Sequence, residues 1–83
     1  MNFSFLKELN DKKLFALMAM ILHDGITIEE CSKIFNISRQ ESDMLISSMV
    51  DDGITIETVD GYKVNFLLYS VVIKLLHDKN IIH

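Results

Sequence analysis

Proline and tryptophan are absent from this chain of 83 residues, and Cys31 is its only cysteine. A single cysteine cannot build an internal disulfide framework, so a fold of this size depends on its apolar core. No apolar stretch reaches the roughly 18 residues of a membrane span, and the N-terminal residues lack the basic and small-residue features of a secretory signal. These absences predict one small domain, residues 1–83, that is cytoplasmic and has no membrane partner.

Positive charge is scarce in one part of the chain. Residues 38–63 carry two basic and six acidic side chains, whereas the basic and acidic side chains elsewhere cancel, so this segment holds the whole net charge of −4. Apolar residues make up 49% of the chain. A domain this small has little interior, so part of its apolar surface is expected to meet a second chain.

A first helix is predicted from about Asn10 to His23. Asn10 is a suitable N-cap, apolar residues recur on nearly all faces, and Gly25 is placed to end the helix in a left-handed conformation. Apolar residues before this helix predict an arm or an extra helical turn: Phe3, Phe5, Leu6 and Leu9.

Two further helices are predicted at short spacing. The segment 27–30 has a capping-box pattern that begins the second helix, and Asn36 is suited to end it. The segment 38–41 repeats the capping-box pattern and begins a third helix, which runs to about Asp52 before Gly53 ends it. Two capped helices separated by a few residues are typical of a helix-turn-helix.

Alternating residues predict a β-hairpin over 54–66. A two-residue loop would pair Ile56 with Asn65, and a three-residue loop ending in a left-handed Gly61 would shift the pairing by one residue. The second register is preferred because it matches apolar with apolar side chains and charges with opposite charges. Its pairs are Ile56 with Val64, Glu57 with Lys63, and Thr58 with Tyr62.

The apolar stretch from Phe66 to about Lys79 predicts a C-terminal helix. Its β-branched run, residues 71–73, lowers helix propensity slightly and leaves a third strand as an alternative.

One hexapeptide occurs twice, at residues 24–29 and 52–57. The first copy is followed by Glu30, which completes a capping box, so it is predicted to lead into a helix. The second copy continues as an alternating pattern and is predicted to form a strand. In the first copy Ile26 is expected to supply at most a short strand that pairs with the edge of the hairpin.

The stretch from Phe35 to Ile54 resembles the winged helix-turn-helix superfamily, in the form of small prokaryotic or viral DNA-binding regulators. Phe35-Asn36-Ile37-Ser38-Arg39-Gln40-Glu41-Ser42, through Ile46 and Met49 to Asp51-Asp52-Gly53-Ile54, is similar to that family's recognition helix and its entry into the wing. The resemblance covers about residues 10–66. It implies a mainly α fold with a small β-hairpin, in which residues 10–66 form the winged-helix core and residues 66–80 an added dimerisation helix.

The resemblance also implies a function, that of a dimeric transcriptional regulator that binds double-stranded DNA. The recognition helix, 38–52, would lie in the major groove, and the wing, 55–65, would lie beside it. The residues implied to contact DNA are Arg39, Gln40, Asp43, Met44, Ser47, Tyr62 and Lys63. Because the first and last helices are apolar on more than one face, they are expected to pack against their symmetry mates, and the residues expected to form the homodimer interface are Phe15, Ala19, Leu22, Leu68, Tyr69, Val72 and Leu76.

The scarcity of basic residues on this helix and wing opens an alternative function. Phosphate neutralisation supplies most of the non-specific affinity of a DNA-binding protein. A winged helix can instead serve as a protein–protein interaction module in a larger complex, and exposed Met44 and Tyr62 would suit that contact. The sequence contains no phosphate-binding loop, metal-ligand spacing or catalytic triad pattern, so no enzymatic activity, cofactor or metal is expected. Cys31 is expected to be a buried structural residue.

Overall fold

The computed structural model of this chain describes residues 10–81, and the predicted arm at Phe3, Phe5, Leu6 and Leu9 lies outside them. These residues form four helices and a two-stranded antiparallel hairpin, which confirms the prediction of a mainly helical fold with a small hairpin. In chain order the elements are α1 (Asp11–Leu22), α2 (Ile28–Phe35), α3 (Arg39–Asp51), β1 (Thr55–Thr58), β2 (Gly61–Val64) and α4 (Tyr69–Asp78), with a 3₁₀ turn (Phe66–Leu68) before α4.

The two ends of α1 are closed by different local interactions. At the start the Asn10 side chain accepts a hydrogen bond of 2.9 Å from the Lys13 amide, which confirms the predicted N-cap. At the end Asp24, with φ +52°, takes the left-handed cap position that the sequence assigned to Gly25. The Gly25 amide reaches back to the Met20 carbonyl at 2.9 Å, so the glycine follows the cap and, with φ +108°, continues the turn.

The capping predictions for α2 and α3 are largely confirmed. Thr27 and Glu30 form both hydrogen bonds of the capping box, each 3.0 Å long, and Asn36 is left-handed with φ +53°. The Ser38 hydroxyl accepts from the Glu41 amide at 3.0 Å. The reciprocal bond to the Glu41 side chain is not formed among the described residues, so the second capping box is only half complete.

A buried hydroxyl holds α2 and α3 together. Ser42 has no exposed surface, and its hydroxyl donates a 2.6 Å hydrogen bond to the Ile28 carbonyl in the first turn of α2. Cys31 of α2 is also fully buried, as expected for a structural residue. These contacts set the rotation of α3 about its own axis and so decide which of its residues face solvent.

The predicted hairpin register is wrong, and so is the alternative that was considered. β1 and β2 pair Thr55 with Val64 and Thr58 with Gly61, so Val59 and Asp60 form a two-residue loop. The Thr58 hydroxyl closes this loop by donating to the Gly61 carbonyl at 2.7 Å. As a result Thr55 lies opposite Val64 on the buried side of the hairpin, in the place predicted for Ile56.

The hairpin is extended by one residue from the segment between α1 and α2. Ile26 and Tyr62 form an antiparallel bridge with two hydrogen bonds, of 3.0 Å and 2.7 Å. This confirms the prediction that Ile26 pairs with the edge of the hairpin. β2 therefore lies between β1 and Ile26, and it joins the hairpin to the end of α1.

The C-terminal segment is helical, which excludes the alternative of a third strand over residues 66–78. It begins as the 3₁₀ turn, where the Asn65 side chain accepts from the Leu67 amide at 3.0 Å and donates to the Gly53 carbonyl at 2.9 Å. α4 then packs on α1 and completes the core. None of the helices within residues 10–81 has both the length and the apolar character needed to cross a membrane.

Candidate interaction surface on the third helix

The packing of α3 buries one side of the helix and leaves the opposite side exposed, with half-buried residues between them. Ser42, Ile46 and Met49 are fully buried. The opposite side is exposed along the helix and contains all five residues that the sequence assigned to recognition on this helix. We call this side the front face; its residues are Arg39, Gln40, Asp43, Met44 and Ser47.

Met44 lies near the middle of the front face and has 66% of its surface exposed. Beside it the Ser47 hydroxyl donates a 3.0 Å hydrogen bond to the Asp43 carboxylate. Arg39 is the only basic residue of this face. The front face therefore combines one guanidinium group, one carboxylate, polar groups and a large apolar side chain.

Two carboxylates and a phenol lie together where the hairpin approaches α3. Glu57 and Tyr62 are partners across the hairpin. Hydrogen bonding with the Glu57 carboxylate raises the pKa of the Tyr62 phenol above its ordinary value, and desolvation and the charges of Glu57 and Asp43 act in the same direction. The phenol stays neutral, so Glu57 adds a second negative charge to that of Asp43 at this edge of the front face.

Lys63 lies apart from Tyr62 and the front face, although the sequence analysis grouped all of them as DNA contacts. Consecutive residues of a strand point to opposite faces, so Lys63 points away from the side on which Tyr62 approaches α3. Its ammonium group lies 3.3 Å from the Asp24 carboxylate and 3.8 Å from that of Asp60. The cation predicted for the wing is therefore engaged at the end of α1.

A groove borders the front face on the side of α1. It consists of two connected hollows of about 290 Å³ and about 160 Å³, which share Lys12, Ile37 and Leu45. The lining is mostly apolar and includes Phe15, which is 48% exposed. We call this feature the side groove; its residues are Lys12, Phe15, Phe35, Ile37, Glu41, Met44 and Leu45.

Most of the residues predicted for a dimer interface lie inside one chain. Four of the seven are buried in its core: Ala19, Leu68, Val72 and Leu76. With at most 6% of their surface exposed, these four residues pack within the chain and leave almost nothing for a second chain to contact, so these four assignments are corrected. The other three remain exposed: Phe15, Leu22 and Tyr69.

A different apolar surface is available at the end of α1 and the start of α4. Phe66 and Leu67 of the 3₁₀ turn are each more than 70% exposed. Phe66 and Tyr69 lie around a hollow that also contains Ile21 of α1. We call this surface the back patch; its residues are Leu22, Phe66, Leu67 and Tyr69.

The sequence missed Glu57 and most of the side groove. The predicted register placed Glu57 opposite Lys63, whereas the hairpin places it opposite Tyr62. The alternation of residues in the two strands did not determine this register. Phe15 was assigned to a dimer interface because α1 is apolar all round. A single apolar helix gives no signal for which of its faces stays uncovered after packing.

The groups gathered on this side of the molecule can recognise a partner through charge, hydrogen bonds and apolar contact.

The buried thiol of Cys31 stays protonated. Burial raises its pKa, and hydrogen bonding with Ser42 opposes this effect only partly. Among residues 10–81, no three His, Cys, Asp or Glu side chains are grouped as metal ligands. No protein-family model, curated protein sequence or solved structure matches this chain.

Proposed function

We propose that this chain is a small winged helix-turn-helix domain that binds another protein through the front face. The order of its elements supports this interpretation: α1, the bridge at Ile26, α2, a short turn, α3 and a hairpin. In that arrangement α3 is the recognition helix and the hairpin is the wing.

The observation that carries the proposal is the exposure of Met44 at the centre of a face with little positive charge. Methionine is enriched at the cores of protein interfaces, where charged side chains are depleted. A DNA-binding face needs several cations to neutralise phosphates. Here Arg39 is the single cation of the front face, Asp43 and Glu57 place negative charge near Tyr62 at its edge, and Lys63 is paired elsewhere.

Duplex DNA is a second candidate partner, favoured by the first turn of α3. Arg39 and Gln40 are both exposed there. In a helix-turn-helix, residues at this end of the recognition helix contact base edges, where arginine pairs with guanine and glutamine with adenine.

Two variants of Met44 distinguish these functions. We expect Met44→Asp to abolish capture of a protein partner from an extract of the source organism, because it places a charge at the interface centre. Met44→Leu, which keeps an apolar side chain of similar size, should retain the same partner. The captured proteins are identified by mass spectrometry for the wild type and both variants.

A titration with mixed-sequence duplex DNA completes the test. We expect no saturable binding of the wild type at low salt. Binding that weakens steeply with salt and is lost in Arg39→Ala would support the DNA candidate and contradict the protein-binding proposal.

We also propose that the chain forms a homodimer through the back patch. The patch supplies four exposed apolar side chains from three elements, α1, the 3₁₀ turn and α4, and an isologous contact would bury the patches of both copies at once. Light scattering at micromolar concentration is expected to give twice the monomer mass, and Phe66→Lys is expected to give a monomer with an unchanged circular dichroism spectrum. A monomeric wild type would contradict this proposal.

A further inference from the structure

We infer that Met44 is an oxidation site, at which a peroxide converts the thioether to the sulfoxide and thereby prevents the front face from binding its partner. The inference concerns the regulation of that face, and its second half, the loss of binding, rests on the proposed function. It follows from the different surroundings of the methionines among residues 10–81.

Met44 is the methionine most open to solvent in the described part of the chain. It is 66% exposed, whereas Met20 is 2% exposed and Met49 has no exposed surface. The sulfur of Met20 also accepts a hydrogen bond of 3.6 Å from the Thr55 hydroxyl inside the core. Met18 is half-buried and packs against the core from α1. An oxidant in solution therefore meets the thioether of Met44 first.

The reaction needs only the thioether and a peroxide, of which hydrogen peroxide is the simplest. A lone pair of the sulfur attacks one peroxide oxygen, the O–O bond breaks, and that oxygen stays on the sulfur as the sulfoxide. The sulfur is oxidised, and the peroxide is reduced and leaves as water with both of its hydrogen atoms. The change is reversible, because methionine sulfoxide reductases return the sulfoxide to the thioether.

The product changes the chemistry at the centre of the front face. The thioether is apolar and adaptable, whereas the sulfoxide is polar. In a protein interface the new oxygen would be removed from water without a hydrogen-bond partner, which costs free energy of binding. Because Met44 is exposed in the free chain, the same oxygen stays hydrated there and leaves the core intact.

Peptide mapping by mass spectrometry tests where the chain is oxidised. The folded chain is treated with dilute hydrogen peroxide, and the gain of about 16 Da per sulfoxide is located over time. We expect Met44 to be oxidised several-fold faster than Met20 and Met49. In concentrated urea the three rates should become equal, because unfolding exposes all three side chains. Circular dichroism is expected to show an unchanged fold once Met44 alone is oxidised.

Binding measurements test the consequence for the front face. The affinity for a partner captured by the untreated chain is expected to fall about tenfold on oxidation, a loss of about 1.4 kcal/mol, and methionine sulfoxide reductase should restore it. Met44→Leu is the matched control, because leucine keeps an apolar contact without sulfur and the variant retains every other methionine of the chain. Peroxide should leave its affinity unchanged. Met44→Gln, which places a polar group there, should weaken binding without peroxide.

Three results would each overturn the inference: equal oxidation rates of Met44 and Met20 in the folded chain, unchanged affinity after oxidation, or the same loss in peroxide-treated Met44→Leu. If the untreated chain captures no protein, the proposed function and the loss of binding are both wrong, whereas preferential oxidation of Met44 is decided by mass spectrometry alone. Faster oxidation of Met44, with a loss of binding that the leucine variant escapes, would support both.

Discussion

Replacing Gly61 by alanine is expected to lower the free energy of unfolding by about 3 kcal/mol. Gly61 has φ +115°, a backbone conformation that residues with a side chain rarely adopt. A Cβ atom there would also lie 2.8 Å from the carbonyl oxygen and 2.9 Å from the carbonyl carbon of Ile26. Both atoms belong to the backbone, so the strain cannot be relieved by rotating a side chain.

Gly53→Ala is the matched control for this prediction. Gly53 also has a positive φ, of +78°, but a Cβ atom there would meet no other atom within 4 Å. The free energy of unfolding of Gly53→Ala should fall only by the cost of holding an alanine in the left-handed conformation, about 1 kcal/mol. Urea and thermal unfolding followed by circular dichroism measure both variants. The 3 kcal/mol loss in Gly61→Ala corresponds to roughly 12–24 °C in melting temperature for a domain of this size, and an equal loss in both variants would show that the contact with Ile26 is not close.

Ile46→Ala is expected to lower the free energy of unfolding by about 2–5 kcal/mol, whereas Met44→Ala should change it by only about 0.5 kcal/mol. The two residues are neighbours on α3, yet Ile46 has no exposed surface and Met44 is 66% exposed. Truncating Ile46 removes apolar contacts from the core and leaves a cavity beneath the helix. Truncating Met44 removes a side chain that solvent already surrounds.

This comparison tests the orientation of α3, on which the front face and the side groove both depend. Urea unfolding curves give the two free energies, and equal slopes show that the unfolded states are comparable. If Met44→Ala were the more damaging change, α3 would be rotated and the front face would be wrongly assigned. Met44→Ala also provides a stable, folded variant for the binding measurements.

Short-range features were predicted well from the sequence. Asn10, Thr27, Asn36 and Ser38 all take the capping positions expected of them. A cap depends on one side chain and on amides within three or four residues of it, so the local sequence contains nearly all the information. The existence of the hairpin and its loop near Asp60 followed from similarly local signals.

The arrangement of the candidate site could not be predicted in the same way. The preferred register paired Glu57 with Lys63, but the hairpin pairs Glu57 with Tyr62. Charge matching favours the first pair only slightly, since exposed ion pairs contribute about 0–1 kcal/mol. Two contacts outside the hairpin accompany the observed register: Thr55 is buried against Met20, and Ile26 forms a bridge with Tyr62. Met20 and Ile26 belong to α1 and to the segment after it, so the sequence of the hairpin holds no information about these contacts.

The repeated hexapeptide shows where local information ends. Its two copies, residues 24–29 and 52–57, have the same sequence. In the first copy the backbone of Asp24 is left-handed, and the chain passes through the bridge residue Ile26 into α2. In the second copy the backbone of Asp52 is right-handed, and the chain continues into β1. The helix was predictable because Glu30 completes a capping box after the first copy only.

The sequence by itself determined the order and type of the elements through the hairpin and favoured a helix after it, since caps, turns and periodicity act over a few residues. The tertiary structure alone decided the register of the hairpin, the separation of Lys63 from the front face and the surface left uncovered on α1. Each of these depends on contacts between residues far apart in the chain, such as Gly61 with Ile26 and Ser42 with Ile28. Such contacts form only when the packed elements exclude water together, so no single segment specifies them.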